Sequence, residues 1–107
     1  MFQQLLETLR QGFYVDNLRK ASRISLDLAL KSEDTAALFV VNRILSSIAD
    51  YWDDRPIIVE EAQIVENGIN PSIINLIEAL ESSASSEIVV TLLNKVVSKY
   101  LFFFSNL

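Results

Sequence analysis

The sequence predicts an all-α chain: a compact bundle of about five mostly antiparallel helices forming a single domain over residues 1–107. Three observations carry this expectation. Apolar residues recur at helical spacing along most of the chain, capping and breaking residues fall between those runs, and the one β-branched stretch, Ile57–Val59, has no second strand-like segment to pair with.

The first run, Phe2, Leu5, Leu6 and Leu9, ends before Gly12, which can close a helix through a left-handed geometry. So short a helix depends on docking, either to the rest of the chain or to a second subunit. Asp16 suits the N-cap of a second helix reaching Lys31, with Leu18, Ala21, Ser25, Leu28 and Ala29 near one side. Arg19, Lys20, Arg23 and Lys31 lie around its other face, the one concentrated basic patch in the protein.

The third helix carries the longest unbroken periodicity and the only tryptophan. Ser32 is its expected N-cap, with Glu33 and Asp34 at the positive end of the helix. Ala37, Leu38, Val41, Ile44, Leu45, Ile48, Tyr51 and Trp52 form a broad apolar face, and Asn42, Arg43, Ser46, Asp50, Asp53 and Asp54 fall opposite, where water is expected. Phe39 breaks this partition: stepping about 100° per residue places its ring among Arg43, Ser46 and Asp50. Pro56 should stop the helix near Asp53 or Asp54.

A short fourth helix follows from Pro56, built on Ile58, Ala62, Val65 and Ile69 and capped around Gly68. Asn70 and Pro71 have the chemistry of an N-cap and a first helical position, and they open a run through Ile73, Ile74, Ile77 and Leu80. The serine-rich stretch Ser82–Ser86 is a reversal between antiparallel helices. Ser85 or Ser86 then caps the final helix, with Val89, Leu93, Val96, Val97, Tyr100 and Phe104 on one side and Lys95 and Lys99 on the other. Phe102 lies nearer the lysines than the buried stripe.

Composition narrows the function. Half of the 107 residues are hydrophobic and the mean hydropathy is +0.29, more apolar content than one small core readily covers. The net charge of −5 opposes nucleic acid through its long-range field. The charge is also uneven. Up to Lys31 five basic residues face three acidic ones, net +2, and from Ser32 onward four face eleven, net −7. Without cysteine there is no disulfide, thiolate nucleophile or cysteine-held metal. No run reaches about 18 uninterrupted apolar residues, so no transmembrane segment is expected. The negative charge argues against peripheral contact with anionic lipid. No secretory leader is evident at the amino terminus, and the cytoplasm is the expected location.

Histidine and cysteine are absent, and neither a phosphate-cradling loop nor a nucleophile elbow occurs, so no catalytic residue, metal ligand or cofactor is assigned. The expected function is a non-enzymatic interaction, regulatory or adaptor module, a homodimer or a binder of another protein, that docks through apolar helix surface. Helix one and the final aromatic turn are candidate parts of that surface. The expected partner-binding residues are Phe39 with Arg43, the terminal Phe102 and Phe103, and the basic Arg19, Lys20 and Arg23. Burial of the rings within one chain and plain solvation of the basic face are the ordinary alternatives. The competing function is a small acid/base or metal-dependent enzyme using the acidic segment from Asp50 to Glu61.

Overall fold

The computed structural model describes residues 2–33, 36–105 and 107; these are all-α, with no strand among them. The chain divides into two compact units, residues 1–57 and residues 58–107.

The first unit contains α1 (Phe2–Arg10), α2 (Val15–Lys31) and α3 (Ala36–Asp53). Leu5, Leu6 and Leu9 are buried, which gives a helix too short to persist alone the docking it needs; α1 packs on α2. The turn between them depends on Gly12, whose φ of 134° is left-handed, as the sequence predicts. Asp16 is not the cap that begins α2. Tyr14 holds that position without a side-chain bond, and the buried Asn17 closes the turn instead, donating from Nδ2 to the Thr8 carbonyl at 2.7 Å and to the Gly12 carbonyl. Satisfying two carbonyls at the end of α1 is worth more to the fold than one exposed cap, because those groups lose water on docking.

α2 and α3 run antiparallel: Arg19 meets Asp50 and Asp53, and one turn further along α2 Ser22 meets Ser46 and Asn42. This corrects the expected solvent face of α3. Asn42 and Ser46 are only partly exposed and form a polar seam with Ser22, while the apolar arc from Ala37 to Trp52 is buried, Trp52 to 2% exposure. Ser32 is likewise not the start of α3. It closes α2 in an extended conformation, φ −106° and ψ 154°, and α3 begins at Ala36; Asp34 lies outside the described residues. α3 ends at Asp53, ahead of Pro56, as expected.

The second unit contains α4 (Val59–Ile64), a π turn (Val65–Ile69), α5 (Asn70–Glu81) and α6 (Ser86–Ser105). The first three are one uninterrupted rod, so the described residues form five rods in all. Two cap signals therefore do not act as caps. Gly68 lies inside the rod, and Ile69 and Asn70 are both right-handed helical; the Asn70 N–H bonds the Val65 carbonyl five residues back. Pro71 explains the widening. A proline ring inside a helix collides with the carbonyl four residues earlier, here Asn67, and the preceding π turn makes room for it.

The rod closes at a two-bond cap, with Ala84 N–H donating to the Ala79 carbonyl at 3.0 Å and Ser83 N–H to the Leu80 carbonyl at 3.2 Å. Ser83 takes the left-handed position at φ 56°. The chain then reverses, and Ser85 caps α6 by accepting from the Ile88 N–H at 3.4 Å, one of the two serines the sequence offers. α6 packs antiparallel to α5, and Lys99 reaches back to Ser72. Val89, Val96 and Phe103 are its buried residues, spaced seven apart, the interval at which a helix returns to nearly the same side.

Candidate interaction surfaces

The α2–α3 register fixes one flank of the first unit. Arg19, Arg23, Leu26 and Leu30 fall on the same side of α2, and Phe39, Arg43 and Asp50 on the corresponding side of α3. Because the helices are antiparallel, Arg19 opposite Asp50 at one end places Leu26 and Leu30 toward Phe39 at the other. Leu30 is 71% exposed, Phe39 40%, and Leu26 is also exposed. Arg23 and Arg43 are exposed alongside, and neither makes an ion pair among the described residues. The flank thus combines three large apolar side chains with two uncompensated cations.

Arg19 stands apart from that pair. Its guanidinium lies 3.0 Å from Asp50 and 3.6 Å from Asp53, so it is occupied within its own unit, the intramolecular pairing that the uneven charge allows. Exposed pairs of this kind contribute only about 0.2–1 kcal/mol. Lys20 is exposed, and Lys31 pairs with Asp27 at 2.9 Å.

The terminal aromatics divide. Phe102 is 62% exposed, whereas Phe103 is fully buried and meets Phe104 edge-on at 5.0 Å between ring centres. Phe103 is therefore a core residue, not the partner-facing one expected from sequence. The seven-residue interval from Val89 through Val96 was the signal that places it inward. The leucines of helix one are likewise covered within the chain, so they are not exposed apolar surface.

Phe102 borders a cleft of about 440 Å³ in the second unit. Ile64, Gly68 and Ile69 form one wall, Ser98, Lys99 and Phe102 the other, and Gln63 and Asn67 stand at the rim. Sequence reasoning did not find this cleft, because it depends on the π turn that replaces the expected cap at Gly68. The Lys99 ammonium is held there by Ser72 Oγ at 2.8 Å and the Gly68 carbonyl at 3.4 Å, and Ser72 donates to that same carbonyl at 3.0 Å.

Asp50 and Asp53 are engaged by Arg19, and among the described residues no group of three acidic side chains converges as a metal ion requires.

α6 bears on the expectation about membrane spans. By length and composition it is apolar enough to cross a bilayer, with a window of mean hydropathy 1.5, and only 11% of that window is buried. It is thus not a helix hidden in a core. Lys95 lies at its midpoint, however, and a lysine at the centre of a bilayer costs about 2.5–3.5 kcal/mol on insertion scales. Lys99, one turn later, is bonded to the α4–α5 rod. No protein-family model, curated protein or solved structure matches this chain.

Proposed function

We propose that this chain is a non-enzymatic interaction module that self-associates through the α2–α3 flank. The observation that carries the reading is the exposure of Phe39 with Leu26 and Leu30 beside Arg23 and Arg43. Three large apolar groups side by side exceed the scattered single exposures ordinary for a surface, and flanking cations select an acidic, apolar partner.

The chain itself contains such a partner segment. Ile57, Ile58 and Val59 are each about half exposed or more and are followed by the exposed Glu60. A second copy therefore offers apolar and acidic groups to match the apolar and basic flank of the first. Each copy thus carries both halves of a complementary contact, and the assembly proposed is a dimer that uses both reciprocally.

Sedimentation velocity over a concentration series tests the proposal. The native chain is expected to sediment as a dimer, Phe39→Asp as a monomer, and Arg23→Glu with Arg43→Glu as a weakened dimer partly restored by Glu60→Arg. A native chain that remains monomeric at every concentration, or a Phe39→Asp variant that dimerises normally, overturns it.

A further inference from the structure

We propose that the cleft at the π turn is a binding site for a small carboxylate amphiphile, with the head group on Lys99 and the apolar tail between Ile64 and Phe102. The cleft's roughly 440 Å³ falls within the range of about 300–1,000 Å³ typical of small-molecule sites. Its walls are chiefly apolar, and its one charged group is fixed in place. An ammonium has three donors; Ser72 and Gly68 take two of Lys99's, and no carboxylate pairs with it among the described residues. The remaining donor is available to a ligand oxygen. A single cation in a chain of net charge −5 favours a singly charged head group over a multiply charged phosphate.

Gly68 is the second and independent observation. A glycine inside a helix is costly, and it is usually explained by a left-handed backbone or by a neighbour too close for a side chain. Neither holds here. Gly68 is not in the left-handed region, and a Cβ built on it meets nothing within 4 Å. What the missing side chain does is leave the wall of the cleft open beside Lys99. A residue that the fold does not require to be glycine thus maintains the space a ligand tail would fill.

Titration of isotope-labelled protein with decanoate, kept below its self-association concentration and followed by NMR at the Gly68 amide and the Phe102 ring, tests the assignment. Saturable shifts at both positions are expected, with affinity rising roughly three- to fourfold per added methylene from hexanoate to decanoate. Acetate should cause none, and decanol should bind roughly tenfold or more weakly because it lacks the charge-assisted bond. Lys99→Met should reduce decanoate affinity by a similar factor while leaving decanol unchanged. Gly68→Leu should abolish binding of both with the helical circular dichroism retained, and Gly68→Ala should weaken binding while raising the melting temperature. Decanol binding as tightly as decanoate, undiminished binding to Gly68→Leu, or no saturable shift at Gly68 would each overturn the proposal. None of these results depends on dimerisation.

Discussion

Asn42 on α3 donates its side-chain amide to both the backbone carbonyl and the hydroxyl of Ser22 on α2, each at 2.8 Å. Ser22 in turn shares a 2.6 Å hydrogen bond with Ser46, so three polar side chains lock the register of the helix pair whose flank carries Phe39. Apolar packing tolerates small slides along a helix axis, whereas a buried polar group left without its partner does not.

Asn42→Ala is therefore expected to lower stability by about 1–3 kcal/mol, because it leaves Ser22 partly buried and under-bonded. Urea denaturation measures the loss. A double-mutant cycle with Ser22→Ala should give a coupling of about 0.5–3 kcal/mol, and additive effects would show that the seam does not act as a unit.

Ser83→Gly should raise stability by about 1 kcal/mol. The residue closes the α5 cap at φ 56°, a geometry that an L side chain resists and glycine accepts freely. Ser83→Val should do the reverse, and thermal melts of the two variants should bracket the native chain.

Asn70 is fully buried, and among the described residues neither atom of its side-chain amide has a hydrogen-bond partner. Replacing it with leucine, close to it in volume, is expected to stabilise the fold by roughly 1–3 kcal/mol through removal of unpaired polar atoms. A destabilised Asn70→Leu in denaturant titration would mean that the amide has a role the hydrogen-bond geometry does not account for.

Gly68→Ala should add roughly 0.5–1 kcal/mol, since the added methyl meets open space and the backbone is already helical. Chemical denaturation of the ligand-free protein isolates this effect from any change in binding.

The native chain should remain unbound in liposome flotation with neutral or anionic vesicles, because Lys95 interrupts α6 at its midpoint and Lys99 is engaged with α5. Recovery in the floating fraction would instead assign the exposed side of α6 to a bilayer.

Local periodicity determined much of this protein. It set the all-α class, the end of α3 before Pro56, the left-handed turn at Gly12, the serine cap of α6, the burial of Trp52 and the outward position of Phe39. These features follow from the angular step of a helix and from side chains acting on their own backbone within a turn. What they leave open is which face a neighbour covers. Tertiary structure decided that Asn42 and Ser46 meet Ser22 instead of water, that Phe103 turns inward while Phe102 remains exposed, and that Gly68 and Asn70 lie within one continuous rod. A cap residue acts only where the chain leaves the helix, and a polar stripe faces water only if no other helix brings a matching group to it; both conditions are set by residues distant in sequence.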